Sequence, residues 1–197
     1  NTKIPVQLAC LPQDTTELKN SFIHLEDAFH TFEDKFGPYR WEKIGYAATP
    51  VGAMEHPGNI AYPTSLINGT LSGEDIMAHE LAHHWFGNAV TCESWAQLAL
   101  NESFATYAEY LWRESEGNLQ DADFLRQQFL QNYLQETLRK TDPIINFHYD
   151  SPYDLLDCHR YEKGALVLHM LRDYLGDFQF FKGIKQYLNE HKFNTVE

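Results

Sequence analysis

The chain has 197 residues, 43% of them hydrophobic, and its 15 Lys and Arg against 28 Asp and Glu give a formal net charge of −13. This length and apolar content suffice for one globular domain with its own core. The negative charge argues against nucleic acid as a partner, because phosphates would be repelled. No run of about 18 apolar residues occurs, so we predict no membrane span in this segment.

The ends and the cysteines bear on the context of the chain. It begins with Asn1 rather than Met, and we expect it to be a piece of a longer protein. Cys10, Cys92 and Cys158 lie far apart and form neither a C-x-x-C metal pair nor a disulfide framework. This spacing slightly favours a reducing, cytoplasmic compartment, and it leaves a periplasmic or extracellular location open.

The first third of the chain is predicted to contain strands and one helix. Residues 4–11 (IPVQLACL) have the composition of a strand. One helix is predicted over residues 14–37, because its apolar residues keep helical spacing as far as a Gly-Pro pair. Residues 41–49 are expected to be extended. Residues 51–62, rich in Gly and Pro, are expected to form a strand, a turn and a second strand.

From residue 72 onward the pattern becomes helical. Ser72 is predicted to begin a helix through a capping box, and Gly87 to end it. Further helices are predicted over residues 101–113, 121–140, 161–175 and 177–191, with turns over residues 142–152. We therefore expect one α+β domain over residues 1–197, in which a strand-containing part (about 1–70) packs on a helical part (about 71–197).

The first of these helices carries an H-E-x-x-H pattern within GEDIMAHELAHHWFGN. His79 and His83 are four residues apart, so both imidazoles can reach one metal ion from the same helix face. Glu80 is near enough to act on water at that metal without being a ligand. A catalytic zinc site needs a third protein ligand, and Glu102 completes an H-E-x-x-H-x18-E arrangement. The pattern predicts one Zn²⁺ bound by His79, His83 and Glu102.

Three further motifs accompany this pattern: G-A-M-E-H at residues 52–56, W-A-Q-L-A-L-N-E-S-F-A-T-Y at residues 95–107, and Y-E-K-G-A at residues 161–165. Together with H-E-L-A-H-H-W-F-G-N, and in this order, they resemble the aminopeptidase N and leukotriene hydrolase family of zinc metallopeptidases. The resemblance covers roughly residues 43–175. It implies a thermolysin-like catalytic domain that is flanked by other domains in the parent chain.

The resemblance also implies roles for individual residues. Glu55 would bind the free α-amino group of a peptide, and the backbone of Gly52 and Ala53 would run beside the bound peptide. Tyr161 would stabilise the oxyanion that forms at the scissile carbonyl. Glu80 would take a proton from water and pass it to the leaving amine. The implied function is a zinc-dependent aminopeptidase acting on peptides with a free N-terminal amine.

Some positions depart from the family pattern. His56 replaces a common asparagine, Ala99 stands where an aromatic residue is common, and Ser103 replaces a common glycine. These departures bear on the shape of the amine-binding strand and on the packing around Glu102, so no side-chain preference is carried over from the family.

Two alternative functions remain open from the sequence. One is epoxide hydrolysis, as in the leukotriene-processing relatives, which keep the same zinc motif. The other is a non-catalytic scaffold with this fold. Scaffold relatives usually lose a ligand or the base, whereas this chain retains His79, His83, Glu102 and Glu80.

Overall fold

A computed structural model describes residues 3–117 and 119–197 of the protein. Within these residues the structure is mixed, with few strands and mostly helix. The helices are α1 (Thr15–Ser21), α2 (Leu25–Phe36), α3 (Glu74–Ala82), α4 (Ala99–Ser115), α5 (Leu119–Thr137), α6 (Glu162–Leu175) and α7 (Asp177–Glu190). The strands are β1 (Val6–Ala9), β2 (Ile44–Thr49), β3 (Ile60–Pro63), β4 (Val90–Cys92) and β5 (Asn194–Val196).

The first three strands form one parallel sheet in the order β1-β2-β3. β2 lies at its centre, where Tyr46 stands opposite Ile60. The first strand predicted within residues 51–62 is wrong, because only Met54 pairs there, through an antiparallel bridge to Ala61. The backbone instead turns tightly, since His56 N donates to Met54 O and Asn59 N donates to His56 O.

The single helix predicted over residues 14–37 is also wrong, because the chain breaks it into α1 and α2. Phe22 ends α1, and α2 begins at Leu25 after His24. Apolar residues continue at helical spacing across the break, because Phe22 and Leu25 are both buried in the same core. The Phe22 ring lies 4.7 Å from that of Tyr46, which joins this corner to the sheet.

The helix with the H-E-x-x-H pattern, α3, starts without the capping box predicted at Ser72. Gly73 is the residue before the helix, and no side chain caps it. The Ser72 hydroxyl contacts Asn68 and Thr70 instead. Tyr62 donates its hydroxyl to Gly73 O at 2.7 Å, and a side chain at position 73 would collide with that hydroxyl.

The remaining helices are present as predicted, with shifted ends, and α4 packs against both α3 and α6. One parallel pair, β4 with β5, was not expected from the sequence. Its strands have three residues each, which is too short for a recognisable alternation.

None of the helices in residues 3–117 and 119–197 has both the length and the apolar character needed to cross a bilayer.

Candidate metal centre and active site

Three side chains from two helices converge on one buried point. His79 lies in α3, His83 directly follows α3, and Glu102 lies in the first turn of α4. The two histidine Nε2 atoms are 3.1 Å apart, and each is 3.3 Å from the same Glu102 oxygen, Oε2. Each of the three side chains can offer one ligand atom to a single metal ion.

The hydrogen bonds of the two imidazoles suit a metal at this point. His83 Nδ1 lies 2.8 Å from the carbonyl oxygen of Phe86, which can only accept, so this nitrogen carries the hydrogen. His79 Nδ1 lies 2.7 Å from Glu109 Oε1, a carboxylate oxygen that accepts the hydrogen of this nitrogen. Both Nε2 lone pairs are then directed at the point shared with Glu102. Two imidazoles and one carboxylate are the donor set of a catalytic zinc site with one open position.

The charges of this cluster favour a cation. Burial would lower the pKa of His83, but the negative charge of Glu102 outweighs it and raises this pKa. Burial would raise the pKa of Glu102, yet His83 and His79 hold it well below its usual range. The convergence point therefore stabilises positive charge, as a divalent cation's site requires.

Glu80 is a buried carboxyl group beside the ligands. Its pKa is raised to about 7, chiefly by burial, and the charge of Glu55 contributes to the increase. Its Oε2 atom is buried without a hydrogen-bond partner. A carboxyl group with a pKa near neutrality can both accept and donate a proton at physiological pH.

Tyr161 stands immediately before α6 and faces the ligands. Its ring stacks on that of His79, with centroids 6.0 Å apart and planes at 5°. Burial, followed by the charge of Glu102, raises the pKa of Tyr161 well above its ordinary value. The phenol therefore keeps its hydrogen and can donate a hydrogen bond.

Glu55 lies on the segment after the Met54 bridge and is half-buried. Its backbone carbonyl accepts a hydrogen bond of 2.7 Å from Asn88 Nδ2. Its negative charge contributes to the raised pKa of Glu80, after burial, and to the raised pKa of His83, after Glu102. Gly52 is exposed and Ala53 half-buried, on the stretch just before the bridge.

The comparison with known protein families agrees with this arrangement. Residues 21–197 match the Peptidase family M1 domain. The chain belongs to this family. It is 36% identical over 183 residues to the Tricorn protease-interacting factor F2 of Thermoplasma acidophilum, an alignment covering 84% of this chain and 23% of that protein. It is 32% identical over 215 residues to the glutamyl aminopeptidase of Bos taurus, covering 100% of this chain and 22% of that protein.

Solved structures of M1 proteins also resemble this chain. An M1 zinc metallopeptidase of Deinococcus radiodurans, a mutant bound to a Tyr-Ser-Ala substrate, matches with a TM-score of 0.75 and 32% identity, covering 88% of this chain and 38% of that chain. Yeast LTA4 hydrolase in complex with bestatin matches with a TM-score of 0.87 and 25% identity, covering 94% of this chain and 32% of that chain. The chain spans less than a quarter of the length of the two curated relatives, the Tricorn protease-interacting factor F2 and the glutamyl aminopeptidase.

One residue of this M1 domain, Glu109, was missed in the sequence. Glu109 lies seven residues after Glu102 in α4, so both carboxylates share one helix face, and Glu109 orients His79. That spacing was a usable signal. His84 is a further supporting residue, for which its place directly after His83 left a packing role and a supporting role equally open.

His84 is a buried support for the turn that follows Glu55. The Tyr39 hydroxyl donates to Lys43 O, so it accepts from His84 Nδ1 at 2.8 Å. His84 Nε2 in turn accepts the backbone N–H of Gly58 at 3.4 Å. Burial lowers the pKa of His84 to about 4, which matches an imidazole that accepts at one nitrogen and donates at the other.

Proposed function

We propose that the chain is the catalytic part of a zinc-dependent aminopeptidase. The observation that carries the proposal is the convergence of His79, His83 and Glu102 on one buried point. Relatives of comparable similarity are named aminopeptidases, among them the glutamyl aminopeptidase of Bos taurus and the alanine/arginine aminopeptidase of Saccharomyces cerevisiae. These names support a peptide substrate for this chain as well.

His79, His83 and Glu102 would hold one Zn²⁺. When bound, the ion would supply Lewis-acid chemistry, lowering the pKa of water and polarising the substrate carbonyl. Glu80 accepts the proton that water loses and delivers it to the leaving amine, a task that suits its pKa near 7. The Tyr161 hydroxyl donates a hydrogen bond to the oxyanion that develops on the carbonyl.

Glu55 determines which end of the peptide is cut in this proposal. A half-buried carboxylate beside the ligands pairs with an α-ammonium group and places the first peptide bond at the reacting point. The backbone of Gly52 and Ala53, just before the bridge that joins Met54 to β3, would run alongside the peptide. One residue is then released in each turnover.

We propose a thermolysin-like arrangement for the same chain, because α3 and the residue after it supply two histidines, and α4 supplies a glutamate, to one site. The strand-containing part, about residues 1–70, and the helical part, about residues 71–197, would form a single catalytic domain. Further domains would flank it in the parent protein, consistent with relatives of whose length this chain covers 22–23%.

The test is the Glu80→Gln substitution in the full-length protein. This change keeps the size of the side chain but removes its ability to accept a proton. Zinc content should stay at one ion per chain, and hydrolysis of aminoacyl fluorogenic substrates should fall by a factor of about 10³ or more. Glu42→Gln, at an exposed glutamate, is the control and should leave both unchanged. Normal turnover in Glu80→Gln would overturn the assignment of the base.

Epoxide hydrolysis is the alternative, and the similarity to yeast LTA4 hydrolase is the observation that favours it. Both reactions can use the same ligands and base. Incubating the protein separately with free-amine peptides and with a fatty epoxide, followed by product analysis, distinguishes them. Diol formation without release of amino acids would replace the peptidase proposal.

A further inference from the structure

The residues before Tyr161 form a tight turn that is tied to α4. The backbone N–H groups of Arg160 and Tyr161 both donate to the carbonyl oxygen of Asp157, at 3.1 and 3.2 Å. The carbonyl of Arg160, which belongs to the peptide group joining it to Tyr161, accepts a hydrogen bond of 2.6 Å from Ser103 Oγ. Ser103 directly follows Glu102. The peptide group of Tyr161 is therefore held by the neighbour of a proposed zinc ligand.

The side chain of Arg160 fixes this turn from within the protein. It is 0% exposed, although arginine is seldom fully buried unless it is paired. Its Nη1 donates to Asp157 Oδ2 at 2.6 Å and to Asp142 Oδ2 at 3.2 Å. Lys140 Nζ also reaches these two oxygens, at 2.9 and 2.8 Å. The side chains of Arg160 and Lys140 thus form one ion-pair network with Asp142 and Asp157, and this network holds the turn in place.

This network is suited to a structural role rather than to a second metal. His159, the residue between Cys158 and Arg160, is buried and lies near Asp157 and Glu136. Its Nε2 accepts the backbone N–H of Asp142 at 3.1 Å, so its hydrogen is on Nδ1. The nitrogen that faces the two carboxylates is consequently not free to bind an ion.

We infer that Arg160 is a positioning residue, which together with Ser103 holds the Tyr161 hydroxyl where the oxyanion forms. The inference rests on the role of Tyr161 in the proposed function. A hydroxyl displaced by about 1 Å loses much of its effect on the transition state, whereas it contributes little to holding the ground-state substrate. Loss of the Arg160 side chain and its ion pairs should therefore lower kcat and leave KM nearly unchanged.

A double-mutant cycle with Tyr161 tests this in the full-length protein. We expect Arg160→Met to bind zinc normally, to lose about tenfold or more in kcat, and to change KM by less than about threefold. In a Tyr161→Phe background, the same substitution should cost less than about twofold, because the group that it positions is already gone. The same factor lost in both backgrounds, or a kcat within about twofold of wild type, would overturn the inference.

Arg172→Met is the matched control. Arg172 is also buried, at 8% exposure, and pairs with two carboxylates, Glu114 and Asp177, but at the far end of α6. Arg172→Met should lower the free energy of unfolding but leave kcat unchanged. An equal fall in kcat for the two arginine variants would show a general effect of destabilisation and contradict the role given to Arg160.

Ser103→Ala serves if Arg160→Met does not fold, since it removes only the hydroxyl that holds the Arg160 carbonyl. It should give a smaller loss of kcat that also disappears in the Tyr161→Phe background. A second readout is independent of activity: the ¹³C NMR signal of the Tyr161 ring, assigned by its loss in Tyr161→Phe. This signal should shift or broaden in Ser103→Ala and stay unchanged in Arg172→Met. If the wild-type protein has no peptidase activity but the Tyr161 signal still shifts in Ser103→Ala, only the proposed function is refuted. If the signal does not shift in Ser103→Ala, the positioning role is refuted.

Discussion

Ser103 and Gly164 occupy complementary positions where α4 crosses α6. A β-carbon on Gly164 would overlap the Ser103 hydroxyl and crowd its β-carbon, whereas the Ser103 Cα would remain at an ordinary distance of 3.5 Å. The serine that ties α4 to the turn before Tyr161 therefore requires a glycine at position 164.

Gly164→Ala should accordingly destabilise the protein by about 1–3 kcal/mol through overpacking. In a Ser103→Gly background the added methyl group has room, and the cost should largely vanish. Gly183→Ala in α7 is the control, because no atom lies within 4 Å of the position of its added carbon. This change should stabilise the helix by about 0.5–1 kcal/mol. Urea unfolding of the four variants measures each value, and an equal cost of Gly164→Ala in both backgrounds would contradict the packing described here.

Glu109→Gln should weaken zinc binding about tenfold while the fold remains intact. The substitution keeps an acceptor for His79 Nδ1 but removes the charge that increases the basicity of this ligand. Competition with a chromophoric chelator gives the affinity. The control is Glu116→Gln, which changes an exposed glutamate directly after the same helix. Equal affinities of the two variants would show that Glu109 does not support the metal.

The Arg160 network should make stability depend on pH. Burial would raise the pKa of Asp157, but hydrogen bonds from Arg160 and Lys140 outweigh it and lower this pKa below its ordinary value of 3.8. The pKa of Asp142 is lowered by the same two partners against burial. A carboxyl group with a lowered folded-state pKa contributes stability above its unfolded pKa, and this stability is lost as pH falls through the folded value.

The difference in unfolding free energy between wild type and Arg160→Met should therefore be largest near neutral pH and shrink below about pH 3.8. Urea midpoints at pH 6, pH 4.5 and pH 3.5 measure the trend. Arg139→Met, at an exposed arginine near the same segment, should differ from wild type by a small amount that does not vary with pH. A difference for Arg160→Met that grows in acid would contradict the pairing.

The elements and side chains that the sequence predicted well are those with local signals. The four-residue spacing placed His79 and His83 on one helix face, and the structure brings their Nε2 atoms to 3.1 Å. Glu102 joins them from a second helix, although its role as a ligand stays a prediction. Glu109 could have been found by the same reasoning, because it lies two helical turns after Glu102.

Other features depend on contacts between distant parts of the chain. The break between α1 and α2 has no Gly or Pro to mark it, since Phe22 and Leu25 keep the apolar spacing of one helix. The strands β4 and β5 are short and about 100 residues apart. The hydrogen bond between Ser103 and Arg160 joins residues 57 positions apart. No local pattern predicts such pairs, because tertiary packing alone brings them together.

Cleavage of matched peptides by the full-length protein tests whether it is a zinc-dependent aminopeptidase in which Glu55 binds the substrate amine. One peptide has a free N-terminus, and its partner is identical except for an N-acetyl group, which removes the charge that Glu55 would bind. We expect release of the first residue from the free peptide only, loss of that activity with a zinc chelator and recovery on adding zinc, and a much higher KM for Glu55→Ala. Internal cleavage of both peptides at similar rates, or release that persists in the chelator, would contradict this function.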